Sequence, residues 1–499
     1  MAIDRRTFLR RGALGAGGAA LALAPSAGAR RRAVTGLGVP EEDPMGLIDL
    51  PPRFRYRVLQ TLDDRLTNGA PVPADFDGMA AFPGRQRGTT VLVRNHELAG
   101  SDRNRKAVVP ARNPFDAERG IGGTTALVIG ADNTLLASYV TSSGTLQNCA
   151  GGATPWGTWI TCEETRDQGH GYCFEVDPYD PESALSKTPI TGMGFFSHEA
   201  IDIDPRTGIA YLTEDDFQNA IPDDATGEGP ESRVSFLYRY LPDNRAGRPG
   251  ALQEGGKLQA MTLDFIPSFN ADLAHERDRF GVVWRDVDAA DPRSGAVSVG
   301  AARFQRLEGC HFAGGAFWFD DTAGGEKRNG QVFRLIPSGD PAGGGRDYLE
   351  LHQEGDSIEE MDSPDNLVVT PWGDLWYAED GDGIQRVMGI TPDGATYEFA
   401  RNRLLGVGDD GTSAEFCGPT FSPDGRTFFL NVQHPGHTFA ITGPFPRRNT
   451  GRQRELAMSA PRHARAPRVS GEMRETAERR HLSPYEVAAY ARLGVDLSR

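Results

Sequence analysis

Carboxylates, one thiol and one arginine carry the chemistry that can be read along this chain. Acidic or amide residues recur at the ends of short apolar runs: Glu97, Glu163-Glu164, Glu199, Glu214-Asp215, Asp321, Glu379-Asp380 and Asn431, with Asp365-Asn366 near the fourth run. These are oxygen ligands of the kind that a hard cation such as Ca²⁺ takes about six to eight at a time. Facing one channel, they could not all stay ionised unless cations sat among them. Cys149, inside Asn148-Cys149-Ala150-Gly151-Gly152, offers a thiolate to a softer ion such as iron. Arg306-Leu307-Glu308 sets a guanidinium fork, which matches phosphate oxygens bidentately, beside a further carboxylate.

The elements that must position these groups repeat. A turn ending in glycine leads an aromatic or aliphatic strand, and the sixth residue after the glycine is acidic or amide: Gly157 to Glu163, Gly208 to Glu214, Gly315 to Asp321, Gly373 to Glu379 and Gly425 to Asn431. A looser copy runs from Gly88 through Val91-Leu92-Val93 to Arg94-Asn95-His96-Glu97. The copies stand about 50–60 residues apart, except for a doubled interval between Gly208 and Gly315. Such spacing predicts an all-β fold, a six-bladed β-propeller with seven blades as the alternative, in which the repeated strands are innermost and converge on a central channel. Within the doubled interval, Val234–Tyr240 reads as an outer strand and Asn270–Arg279 as a helical, lid-like insertion. The 61 glycines and 34 prolines are spread along the chain, as many short strands joined by turns require.

Both ends depart from this pattern. Asp4-Arg5-Arg6-Thr7-Phe8-Leu9-Arg10 is the pattern of a twin-arginine (Tat) export signal, followed by a mild apolar stretch, Gly12–Ala24, and a small-residue cleavage site at Ala27-Gly28-Ala29. The apolar stretch is well short of the roughly 20 residues that span a bilayer. The expectation is a signal peptide over 1–29, recognition by the Tat export machinery, a periplasmic or extracellular destination and no stable membrane insertion. The propeller domain occupies 30–446, and 447–499 reads as an arginine-rich flexible tail with a short helix that begins around Ser483-Pro484 and ends by Gly494. The net charge of −16 becomes −19 without residues 1–29, which argues against nucleic-acid partners. The five cysteines show neither a CxxC pair nor zinc-type spacing.

From Leu47 to Gly436 the sequence resembles the PhoX-type alkaline phosphatases. The likeness rests on Arg94-Asn95-His96-Glu97, Asn148-Cys149-Ala150-Gly151-Gly152, Thr161-Cys162-Glu163-Glu164, Ser197-His198-Glu199-Ala200, Tyr211-Leu212-Thr213-Glu214-Asp215, Arg306-Leu307-Glu308-Gly309 and Ser363-Pro364-Asp365-Asn366. The resemblance implies a six-bladed propeller, Tat export, and a phosphomonoesterase acting on small phosphate esters through a cofactor of Fe³⁺ and Ca²⁺. It implies Cys149 as an iron ligand, Glu164 or Glu163 as a metal ligand, Arg306 as phosphate clamp and Glu308 as a catalytic metal ligand. Glu97, Glu199, Glu214 and Glu379 match local metal-binding motifs without a particular ion for each. Leu307 stands where the family usually has proline. A calcium propeller hydrolase of the lactonase type, using Asp365-Asn366, and a non-catalytic binding propeller are the alternatives from the residues alone.

Overall fold

The glycine-led repeats fold as strands Trp159–Glu163, Ala210–Glu214, Ala316–Asp321, Leu375–Glu379 and Thr427–Val432, all of whose residues are buried. The turns before them need glycine: Gly157 and Gly373 have φ of 92° and 94°, the left-handed region. The computed structural model describes residues 36–216, 220–222, 231–340, 342–381, 383–404, 414–458 and 480–497, so the expected export signal lies outside the described residues.

These repeated strands are second from the axis, not innermost as their spacing suggested. Each pairs antiparallel with the strand just before it: Asn148–Ala153, His198–Ile203, Leu307–Ala313, Pro364–Val369 and Phe416–Phe421, while Thr90–His96 pairs with Phe76–Pro83. The six preceding strands pack side by side in chain order, and Phe416–Phe421 returns against Phe76–Pro83 to close a ring. The outcome is an all-β, propeller-like arrangement with few helices.

Outer strands complete the sheets. Cys173–Val176 ends a three-stranded sheet behind Asn148–Ala153. Arg279–Asp286 pairs with Asp347–Glu354 and so fuses two neighbouring strand sets into one nine-stranded sheet. Arg55–Thr61, from the N-terminal side, pairs with His437–Thr442, so segments far apart in the chain share the last sheet. Arg94 reinforces that pairing: its guanidinium, buried against the Phe76 ring, donates to Gln60 Oε1 at 2.9 Å and Thr438 Oγ1 at 2.7 Å.

The doubled interval holds outer strands. Leu237–Pro242, Gly256–Leu263 and Arg279–Asp286 pair in series outside Ala210–Glu214. Asn270–Arg279 is not the expected helical lid. It has a single 3₁₀ turn, Ala271–Leu273, whose Ala271 joins Ala274, Phe269 and Phe280 in the core, while the short α-helix of this region lies further on at Pro292–Ser298. Two helices lie within the tail expected to be flexible. Thr450–Met458 is a helix with Leu456 buried, and 459–479 lie outside the described residues. The helix Pro484–Arg492 starts with the predicted Ser483–Glu486 capping box and seats Val487 and Tyr490 in the core. Among the described residues, no helix is long and apolar enough to cross a membrane.

Candidate metal centre

Every strand of the ring carries a one-residue β-bulge at the same register. Pairing slips between Phe76 and Met79, Asn148 and Gly151, His198 and Ile201, Leu307 and Cys310, Pro364 and Leu367, and Cys417 and Thr420. A bulge sets two residues against one and re-aims a side chain. The first bulged residues are Asp77, Cys149, Glu199, Glu308 and Asp365, with Gly418 in the sixth strand. The residues after them are small where strands meet: a Cβ on Gly78 would lie 2.7 Å from Ala150 Cα, and one on Gly309 would lie 2.5 Å from Asp365 O.

The bulged side chains meet acids from the strand ends. Four sets of three place their ligand atoms within 4.8 Å of one another: Asp77, Glu97 and Cys149; Cys149, Glu164 and Glu199; Glu199, Glu308 and Asp365; Asp365, Asp380 and Glu415. Because successive sets share a residue, they form one continuous arc of eight carboxylates and a thiol around the ring. The donor chemistry suits cations, with oxygens for hard ions and a single sulfur for a softer one. Burial pushes the Cys149 thiol well up, and Asp77, Glu199, Glu97 and Glu164 push it further, so the site opposes a thiolate until a cation balances the charge.

Backbone around the arc is held by side chains from neighbouring sets of strands. Asn95 Nδ2 donates to Cys149 O and Ala150 O at 3.1 and 2.7 Å, Thr213 Oγ1 donates to Glu308 O at 2.7 Å, and Asn431 Nδ2 donates to Asp77 O at 2.7 Å. Arg306, beside the arc, is buried with its Nε 3.1 Å from Asp215 Oδ1, and its Nη2 donates to Asp215 Oδ2 at 2.6 Å and Glu308 Oε1 at 2.5 Å. Two carboxylates thus fix the plane of one guanidinium.

Cys149, Glu97, Glu164, Glu199 and Glu308, all predicted from sequence, come together in the arc. Glu163, Glu214 and Glu379 do not: the repeated sixth residue clamps loops instead. Glu163 accepts from Leu146 N at 2.9 Å, Gly171 N at 2.8 Å and Tyr172 N at 3.2 Å, and lies 2.7 Å from His170 Nδ1. Glu214 accepts from Phe236 N at 3.0 Å and pairs with Arg293 at 3.2 Å. Glu379 accepts from Asp362 N at 3.0 Å and from Arg386 Nε at 2.6 Å. Burial raises Glu214 to about 7 and Glu379 to about 8 against the pull of those arginines. Asp321 does the same work, accepting from Arg306 N at 2.9 Å. Asn366 is also structural, since its Oδ1 accepts from Gly418 N at 2.6 Å.

Asp77 and Glu415 are not legible as ligands in the sequence, whereas Asp365 and Asp380 belong to the strand-end oxygen ligands read there and do stand in the arc. Phe76-Asp77-Gly78 follows no glycine-led repeat, and Glu415 precedes its strand by one residue. A signal is present in two of the acid doublets, where alternation along the strand turns Glu164 and Asp380 away from the face of Glu163 and Glu379; in the third, Asp215 turns to Arg306 instead.

Bulge-borne carboxylates and a thiol on a ring of strands define an all-β, propeller-like protein with a candidate metal centre. The family description "Alkaline phosphatase PhoX" matches residues 35–137 and 130–436, and the chain belongs to that family. Membership implies a metal-dependent phosphatase. No curated protein is similar enough to count as a match. Among solved structures, the holo form of the pyranose dehydrogenase PQQ domain from Coprinopsis cinerea aligns with 79% of this chain and 97% of its own at 8% identity and a TM-score of 0.28, a likeness that bears on neither site nor function.

Proposed function

We propose that this chain is an exported, six-bladed propeller phosphomonoesterase that hydrolyses small phosphate esters at a calcium–iron centre in its axial channel. The observation that carries the reading is the arc: eight carboxylates and one thiol, drawn from all six ring-strand regions, beside an arginine fixed by two carboxylates. The six-blade reading is supported by the six ring strands, each with outer strands paired behind it.

The donor set divides by chemistry. Asp77, Glu97, Glu199, Glu308, Asp365, Asp380 and Glu415 would hold Ca²⁺, and Cys149 with Glu164 would favour Fe³⁺. When bound, such cations supply charge neutralisation to the ester and to the oxygen that attacks phosphorus. Arg306 presents its guanidinium to the non-bridging oxygens, oriented by Asp215 and Glu308 before the ester arrives. Glu308 bridges the two functions, touching Arg306 and standing in the arc. Cys149 serves as a ligand and not as the nucleophile: burial and the surrounding acids oppose a free thiolate, which a bound cation would stabilise.

Metal analysis of purified protein and phosphate release from p-nitrophenyl phosphate at alkaline pH test this reading. Wild type should contain calcium and iron, Cys149→Ala should lose the iron, and Arg306→Ala should lower kcat/KM by roughly 10²-fold. Iron-free wild type whose turnover is unaffected by both substitutions overturns it. Turnover of lactones with calcium alone would favour the lactonase type, although Asn366 is committed to Gly418 N.

A further inference from the structure

Cys162 and Cys173 face each other across the two outer strands of the three-stranded sheet. Their Sγ atoms are 3.6 Å apart. Glu163 N donates to Tyr172 O at 3.1 Å, which makes that couple the hydrogen-bonded one and places Cys162 and Cys173 at a non-hydrogen-bonded position. Cα atoms at such a position lie about 4.5 Å apart, inside the roughly 4.4–6.8 Å that a disulfide spans. Side-chain rotation can therefore join the sulfurs with the strands where they are.

The surroundings favour the bond. His198 Nε2 lies 3.0 Å from Gly194 O, which can only accept, so Nε2 carries the hydrogen and Nδ1 faces the Cys173 thiol at 3.4 Å as an acceptor. The other cysteines, Cys149, Cys310 and Cys417, sit on three different ring strands. The sheet itself supplies a reason for a cross-link. It has three strands where every other sheet with a ring strand has at least four, yet it bears Cys149 and leads into Glu164.

We propose that Cys162 and Cys173 are a latent cross-strand disulfide, closed by exchange with an oxidised disulfide compound when the sheet is open and sealed in its current state once the sheet shuts. One thiolate attacks the external disulfide and releases one thiol, and the second displaces the other. The protein gives up two electrons and two protons, and both end on the two released thiols. Both side chains are buried, so the closed sheet protects thiols and disulfide alike.

The full chain is refolded from guanidinium with calcium, either in a mixture of oxidised and reduced glutathione or in dithiothreitol, and then denatured, alkylated and mapped. In parallel, native protein is held just below its melting temperature with oxidised glutathione, which opens the sheet without a full refolding step. The oxidised samples should yield a Cys162–Cys173 cross-linked peptide and leave three of the five cysteines open to alkylation. Their Tm should rise by about 5 °C over the reduced form, and Cys162→Ser/Cys173→Ser protein should show no such difference. Folded protein with five alkylated cysteines after oxidising treatment, or a bond between any other pair, overturns the proposal. These readouts involve neither ester hydrolysis nor metal content, so they fail or succeed separately from the phosphatase reading.

Discussion

Glu163 and Glu164 are neighbours that face opposite ways. Glu163 takes the N–H groups of Leu146, Gly171 and Tyr172, whereas Glu164 stands within ligand distance of Cys149 and Glu199. The same division separates Glu379, tied to Asp362 N and Arg386, from Asp380 in the arc. It yields a paired prediction. Glu164→Gln removes a ligand and should weaken metal retention by at least about tenfold with little loss of fold, read by dialysis against a chelator and metal analysis. Glu163→Gln leaves the arc intact but puts an amide where three backbone donors need an anion. It should cost about 1–3 kcal/mol, seen as a lower urea midpoint. If Glu163→Gln strips metal while Glu164→Gln does not, the assignment is reversed. The sequence showed that acids end these strands because the glycine turns mark where each strand begins. It does not show which acid of a doublet faces the arc, since that depends on the partner strand's register, and so Glu163, Glu214 and Glu379 look alike in sequence to the acids that meet there.

At the scale of elements, the bulge is the device that turns a strand into a ligand. It cannot be seen in the glycine repeat because it sits on the preceding strand, which explains why Asp77 escaped notice while the strand beside it was legible. The bulges also allow neighbouring ring strands to approach closely. Gly309→Ala would drive a Cβ to 2.5 Å from Asp365 O, so Glu308 and Asp365 must separate. A loss of about 1–3 kcal/mol and weaker metal retention should accompany it, whereas Gly383→Ala, in open space, should change neither. Asp202 ties two ring strands, its Oδ2 accepting from Phe312 N at 2.6 Å beside the axial cavity. Desolvation raises it from 3.8 to about 7. A raised carboxyl is protonated in the folded protein where it would be ionised in the unfolded chain, so its contribution is full below about 3.8 and disappears as pH climbs through about 7. Glu214 and Glu379, raised to about 7 and about 8, follow the same trend, so urea midpoints of the wild type should fall between about pH 4 and 8 and Asp202→Asn should make that slope shallower without abolishing it. An equal slope in both proteins would remove Asp202 as a contributor.

At the scale of the molecule, the arc and the ring depend on one another. The ring closes where Phe416–Phe421 meets Phe76–Pro83, Arg55–Thr61 completes the last sheet from outside, and Arg94 bonds both Gln60 and Thr438 of that outer pair. The arc gathers acids from well-separated strands: Asp77 and Glu415 flank the contact between Phe76–Pro83 and Phe416–Phe421, while Glu199 and Glu308 lie at the two ends of the nine-stranded sheet. Without cations, eight carboxylates around one axis repel across every strand interface, on top of a net charge of −16. Metal removal should therefore loosen the ring as a whole and not one sheet. In calorimetry, chelator-treated protein should melt in one broadened transition at least about 5 °C below the untreated protein, and added calcium should restore most of the difference. High salt should recover part of it by screening, and less than calcium does, because the arc is buried. A chelated protein that melts at the temperature of the untreated one would mean that the acids are held apart without cations, and the arc would then be a cluster of solvated and hydrogen-bonded groups, not a metal centre.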